Sequence, residues 1–237
     1  VVICERVHKV LCKPRNAGKL MRRVSESTVH RLSIYYRALS EMERDGRKTI
    51  SSKDLATMER LTPAQVRKDL SFFGSFGTRG LGYPVKELKA RIAKILGIDK
   101  EWNVALIGVG NVGSALVSYK EFPKQGFNIK LIFDNDQRKI GKTRRGIVVS
   151  DISNLDRELK ENKIDMVIIA VPASAAQSVV DRVVAAGVNS ILNFAPANIT
   201  VPPSVYLRTV NMAMQLEHLS FFLINRTGLK TWKSSGN

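Results

Sequence analysis

The stretch NVALIGVGNVGSAL, residues 103–116, limits what this chain can fold into more than any other. An apolar run breaks at Gly108-Val109-Gly110-Asn111-Val112-Gly113 and resumes as an apolar, helix-compatible segment, the strand–turn–helix setting that G-x-G-x-x-G requires. There the first glycine makes the tight turn, the second lets the backbone approach a pyrophosphate, and the third lets helix and sheet pack closely. N–H groups at the helix start are free to hold phosphates. A following strand, IKLIFD, ends in Asp134, 21 residues beyond Gly113. A carboxylate there accepts from an adenosine ribose 2′-OH and repels a 2′-phosphate, so NADH/NAD+ is expected over the phosphorylated forms. Arg138, Lys139 and Lys142 nearby weaken that exclusion.

Further strands follow at the same rhythm: IVV, IDMVIIAVP and SILNFAP, with helices such as SAAQSVVDRVVAAG between them. The expected fold class is α/β, with a Rossmann-like parallel sheet over residues 98–207 and its first helix running to about Lys120. The strand tips Ala170-Val171-Pro172 and Asn193-Phe194-Ala195 lie at carboxyl ends, where such sheets bind ligands, and Asn193 is expected to face the nicotinamide half. Residues 208–237 form a terminal helix and tail. Its ridge Met212, Leu216, Leu219 and Leu223, widened by Met214, Phe221 and Phe222, is too apolar for one-sided burial, so an oligomer contact and a monomer core are equally good readings.

What precedes the fingerprint is basic. Residues 1–100 carry 22 Lys and Arg against 10 Asp and Glu; the remainder carries 16 against 11. That asymmetry points the first half at a polyanion. Residues 1–24, with Pro14, Asn16 and Gly18, read as a basic, disordered tail. Over residues 25–97 the pattern turns helical. Val29, Leu32, Tyr36 and Leu39 share one face, then Ser51 or Ser52 caps a short helix with Leu55, Met58 and Leu61 inward. Thr62 caps a third helix with Pro63 at its first position; Val66, Leu70 and Phe73 form its back. Gln65, Arg67, Lys68 and Ser71 point away from that back, as a helix-turn-helix needs for base edges and phosphates. GSFGTRGLGYP then permits a glycine-rich hairpin, a wing, with Arg79 at its tip for a narrow minor groove. Ser51 and Ser52 join the expected DNA contacts. PVKELKARIAKIL is an amphipathic connector helix ending at Gly97.

Other classes fit less well. No apolar run reaches the roughly 18–20 residues that span a bilayer, and the N-terminal segment is too charged for a secretory signal. Cys4 and Cys12 match neither a metal nor a redox spacing, so the cytoplasm is the expected location. The histidines, His8, His30 and His218, fall away from the strand tips, which carry no acid–base group beyond Asp134. No catalytic residue and no metal site is expected. Two alternatives stand beside a DNA-binding regulator: an NAD-dependent dehydrogenase with an appended nucleic-acid-binding domain, and a structural DNA-binding protein whose Rossmann domain holds coenzyme A or nothing.

SSKDLA, AQVRKDLSFFGSFGTRGLGY, ILG, GVGNVGSAL, FDNDQRKIGK and ILNFAP together resemble the Rex family of redox-sensing transcriptional repressors, over roughly residues 28–225. QVRKDLSFFGSFGTRGLGY is the most specific part. The resemblance implies a homodimer bound to an inverted-repeat operator, its terminal helix exchanged and inserted between the partner's two domains. It also implies that NADH favours a DNA-free form while NAD+ is compatible with operator binding. Carried over, it makes residues 108–113 the pyrophosphate loop, Asp134 the ribose ligand, Gln65, Arg67, Lys68 and Ser71 the groove or phosphate contacts, and Arg79 the wing. Arg37 and Tyr119 match positions that link DNA binding to the nicotinamide pocket. Two departures are visible. Residues 1–24 extend ahead of the family's usual start, as an alternative start codon would give. Asn211 stands where family members can carry Asp, so it offers Arg37 only a neutral hydrogen bond.

Overall fold

A computed structural model describes residues 24–77 and 81–232, with side chains to residue 225. Arg79 and all but the last residue of the expected tail lie outside the described residues. The chain divides between Asp99 and Lys100 into two compact units.

In the first unit, Ser25 opens α1 (Glu26–Arg44) by accepting the Thr28 N–H, and Glu26 sits at the positive end of the helix dipole. The expected inner stripe is rotated: Val29 is 44% exposed and Tyr36 half-buried, while Tyr35 and Ala38 are buried. The cause is a buried hydrogen-bond partner for the Tyr35 hydroxyl, described below. After β1 (Thr49–Ile50), Ser51 caps α2 (Ser52–Met58), accepting the Asp54 N–H. This helix is only seven residues long and buries Leu55 and Ala56; Met58 faces outward, against expectation. Thr62 and Pro63 start α3 (Pro63–Ser71) as the sequence indicates, with Val66 and Leu70 buried and Phe73 half-buried just past its end. β2 (Tyr83–Pro84) returns antiparallel to β1, pairing Ile50 with Tyr83. The chains approach so closely that a Cβ on Gly82 would stand 2.5 Å from the Ile50 carbonyl oxygen. α4 (Val85–Leu96), the expected connector, is a core element: Val85, Leu88 and Ile92 pack with Leu32, Leu39 and Leu55. Each such side chain contributes about 1.5–3 kcal/mol on burial.

The second unit runs β3 (Trp102–Ile107), α5 (Asn111–Val117), α6 (Glu121–Lys124), β4 (Phe127–Asp134), β5 (Thr143–Arg144), β6 (Ile147–Asp151), α7 (Leu155–Glu161), β7 (Met166–Ile169), α8 (Ala173–Ala185), β8 (Ser190–Asn193), β9 (Tyr206–Thr209) and α9 (Met212–Trp232). The sheet order is β5-β6-β4-β3-β7-β8-β9, parallel throughout except for the β5–β6 edge hairpin. Alternation along β3 sends Ala105 and Ile107 to the face covered by α7 and α8, and Val104 and Leu106 to the other. α5 stops at Val117 rather than near Lys120. The chain turns at Ser118 and restarts as the four-residue α6, where Pro123 at the third position needs no intrahelical acceptor. β7, β8 and β9 leave part of one face open, as a hollow lined by Phe122, Ile129, Met166, Leu192 and Tyr206. α9 is exposed from Met212 to Asn225: Met212, Leu216, Leu219, Phe221, Phe222, Leu223 and Ile224 are all at least 59% accessible.

Candidate functional site

β3 has β4 on one side and β7 on the other, so the strand order reverses direction there. In a parallel sheet the connections then diverge and leave a crevice at the carboxyl ends of the two strands. A cleft of about 210 Å³ lies there, lined by Gly108, Gly110, Asp134, Lys139 and the Ala170–Pro172 tip.

The three fingerprint glycines have different reasons to be glycine. Gly108 has φ +93°, and a Cβ there would stand 2.5 Å from the Ala170 carbonyl oxygen. A Cβ on Gly113 would run into the carbonyl oxygen of Gly108. Both are required by the fold itself. Gly110 has φ −76° and nothing within 4 Å of its Cβ position. Nothing in the protein demands a glycine there; the open space lies at the N-terminus of α5, where backbone N–H groups lack intrahelical acceptors.

Asp134 is 5% exposed. Its Oδ2 accepts the Val109 N–H at 2.7 Å and Lys139 Nζ at 3.1 Å; Oδ1 accepts the Asp136 N–H at 2.9 Å. Burial pushes its carboxyl pKa up, but those donors outweigh it and hold the group below the usual carboxylate range. It is therefore an anion at neutral pH, and Oδ1 keeps acceptor capacity for a hydroxyl. Of the three cations expected to soften rejection of a 2′-phosphate, Lys139 is on the carboxylate. Arg138 is held instead by Asp136 through Nε at 3.0 Å and Nη2 at 2.9 Å, which draws the Asp136 pKa down to about 2.

The second strand tip is closed by its own hydrogen bonds. Asn193 is wholly buried: Nδ2 donates to the Ala195 carbonyl at 3.0 Å and to Thr209 Oγ1 at 3.4 Å, and Oδ1 accepts the Ala195 N–H at 2.9 Å. Ala195 is buried beside it, and the Phe194 N–H donates to the Ile169 carbonyl, extending the ladder to β7. The amide's hydrogen bonds are thus spent on ending β8. Tyr119 is 53% exposed, edge-on to Phe122 at 5.0 Å, and Arg37 is exposed on α1. Asn211 caps α9, its Oδ1 accepting the Ala213 N–H at 3.0 Å and the Met214 N–H at 3.4 Å.

On α3, Arg67, Lys68 and Ser71 are exposed as expected. Arg67 Nη1 donates to Ser52 Oγ at 3.2 Å, which gathers both onto one surface; Ser71 Oγ donates to the Lys68 carbonyl at 2.7 Å. Ser51 is committed to its cap and to Asp54 Oδ2 at 2.8 Å. Gln65 departs from expectation: its Nε2 turns back to Asp69 Oδ1 at 2.7 Å. Asp69 itself, together with Arg31 and Tyr35, escaped the sequence reading. The signal was present, since Asp69 falls three residues after Val66 on the apolar stripe, where a charge requires a partner. Among the described residues no His, Cys, Asp and Glu group of metal-binding size occurs, and no helix is long and apolar enough to cross a membrane.

Two family models match this chain: the "CoA binding domain" over residues 99–197 and the "putative DNA-binding protein N-terminus" over residues 23–71. The redox-sensing transcriptional repressor Rex of Desulfitobacterium hafniense is 50% identical over 199 residues, 84% of this chain and 95% of the relative. The Rex of Carboxydothermus hydrogenoformans is 48% identical over 84% of this chain and 96% of its own. A Rex-family repressor solved with β-NAD+ and operator DNA superposes with a TM-score of 0.84 at 39% identity, covering 90% of this chain and 99% of that one. The same repressor with β-NADH gives 0.82 at 38% identity, covering 89% and 99%. With a cleft at the strand crossover, an exposed basic helix in the preceding unit and relatives matched nearly end to end, this chain belongs to the Rex family of redox-sensing transcriptional repressors.

Proposed function

We propose that the chain is a DNA-binding transcriptional repressor that senses the NADH/NAD+ ratio, NADH releasing it from operator DNA. The observation that carries this reading is the open space at Gly110 beside the ionised Asp134, at the point where Rossmann sheets take a dinucleotide. The residues fit the group: N–H groups at the start of α5 hold the pyrophosphate, Asp134 Oδ1 accepts a ribose hydroxyl, and the Ala170–Pro172 tip borders the nicotinamide half. The ring supplies the signal, a cation in NAD+ and a neutral group in NADH. Val109 and Lys139 keep Asp134 oriented, and Arg67, Lys68 and Ser52 present donors to DNA, joined by Ser71 once its hydroxyl leaves the Lys68 carbonyl. Arg37 in the first unit and Tyr119 in the second convey nucleotide state to DNA affinity. A ligand shifts such an equilibrium only through its different affinity for the two states.

The active form is a cytoplasmic homodimer that exchanges α9. The exposed ridge of that helix and the open apolar face of the sheet support this, since a monomer leaves both uncovered. A two-fold dimer in turn suits an inverted repeat. The regulator reading is preferred over a dehydrogenase because the relatives are named as repressors and the strand tips bordering the cleft carry no acid–base group beyond Asp134, which Val109 and Lys139 hold as an acceptor. A fluorescent inverted-repeat duplex, titrated with protein in NAD+ or NADH, tests the proposal. Anisotropy should show tighter binding in NAD+, by about 5–150-fold, the range of a 1–3 kcal/mol coupling. Equal affinity in both would overturn it.

A further inference from the structure

Asp69 lies on the DNA-reading helix between the exposed Lys68 and Ser71, yet it has no exposed surface. Arg31 grips it with both arms of its fork, Nε to Oδ2 at 2.6 Å and Nη2 to Oδ1 at 2.7 Å. The Tyr35 hydroxyl donates to Oδ2 at 2.9 Å, and Gln65 Nε2 donates to Oδ1 at 2.7 Å. Thr28 Oγ1 closes the ring, accepting Arg31 Nη2 at 3.2 Å. Arg31, Tyr35 and Thr28 all belong to α1, so the carboxylate ties α3 to α1 across the interior of the unit.

Relative to an apolar core of the same volume, such a cluster adds little net stability. Apolar side chains of similar volume fold a core as well as a buried ion pair does, because desolvation cancels much of the attraction. What apolar contacts do not provide is direction: a bidentate guanidinium–carboxylate pair fixes distance and angle together. Base edges are read by donors placed to within a fraction of an ångström, whereas phosphate contacts tolerate a looser helix.

We propose that the Asp69–Arg31–Tyr35 cluster is a positioning lock that sets the orientation of α3 and so determines discrimination between operator and other DNA. The proposal rests on the operator-binding reading above. None of the three residues touches DNA in it. Gln65, held by the same carboxylate, is oriented by the lock rather than free to follow a base.

The test compares full-length parent, Tyr35→Phe and Arg31→Lys on two fluorescent duplexes, one selected by the parent from random sequence and one scrambled. Tyr35→Phe keeps the packing and removes one donor; Arg31→Lys keeps the charge and removes the fork. Operator affinity should fall about tenfold or more, the weight of one hydrogen bond to a charged group, with less than about a twofold change on the scrambled duplex. NADH affinity should be unchanged in both variants. A merely destabilised domain weakens both duplexes in proportion, and that result overturns the lock. So does unchanged discrimination in a folded variant. If Arg31→Lys fails to fold, Tyr35→Phe decides alone. A parent that binds both duplexes equally overturns the operator reading and the lock with it.

Discussion

Replacing Gly110 by valine puts a branched side chain into a space that the protein does not use. No atom lies within 4 Å of its Cβ position, and φ of −76° suits any residue. The direct structural cost is therefore that of a poor N-cap residue, about 0.5–1 kcal/mol. The functional cost is larger. The side chain stands in front of the N–H groups that open α5, and losing two charge-assisted hydrogen bonds to a pyrophosphate at about 1.5–3 kcal/mol each removes roughly 3–6 kcal/mol of binding. NADH affinity should fall at least about 100-fold by calorimetry. A second readout separates binding from folding. NADH at 100 times its Kd stabilises the parent by about 2.7 kcal/mol, and at the same concentration Gly110→Val should gain about 0.4 kcal/mol or less while the unliganded protein still melts cooperatively. Gly113→Ala should do the reverse, lowering stability by about 1–3 kcal/mol because its Cβ meets the Gly108 carbonyl oxygen. NADH affinity within threefold of the parent in a folded Gly110→Val would refute the assignment of this cleft.

Asp134→Ala should weaken NADH and narrow the gap to NADPH, measured by calorimetry with both nucleotides; an unchanged ratio would remove the carboxylate from ribose selection. The double change Arg67→Ala with Lys68→Ala should cost about 1–3 kcal/mol of operator affinity per base-reading side chain lost, checked by anisotropy at fixed salt. Acid should loosen the first unit. Burial pushes the Asp69 carboxyl up, but Arg31, Tyr35 and Gln65 outweigh it and leave the folded pKa depressed. The stabilisation is thus present above the unfolded value of about 3.9 and lost as pH falls through the lower folded value, and Asp69→Asn should flatten that limb of the pH–stability curve. Tyr119→Phe or Arg37→Ala should reduce the difference between NADH-bound and free protein in operator affinity more than it reduces NADH affinity, measured by paired titrations.

The second unit was largely legible because a glycine fingerprint, an Asp-ended strand and period-two apolar runs each have one structural meaning in sequence. What escaped there was set by tertiary context. β9 is a short, mostly exposed edge strand with a polar pattern, and the bonds that bury Asn193 run to Ala195 and Thr209, which no local periodicity announces. In the first unit, caps and turns read directly: Thr62 and Pro63 start α3, and Gly97 ends α4 with φ +71°. The phase of α1 did not, since Tyr35 is turned inward by a carboxylate 34 residues away. Long-range polar partners leave no local periodicity, and the same blindness sent Gln65 outward when Asp69 draws it back.

Thermodynamic linkage offers the most direct test of redox sensing. NADH affinity is measured by calorimetry without DNA and with saturating operator, and operator affinity without and with saturating NADH. Operator should weaken NADH by the same factor by which NADH weakens operator, about 5–150-fold, with NAD+ giving a much smaller factor in both directions. An NADH affinity unaffected by operator would contradict it.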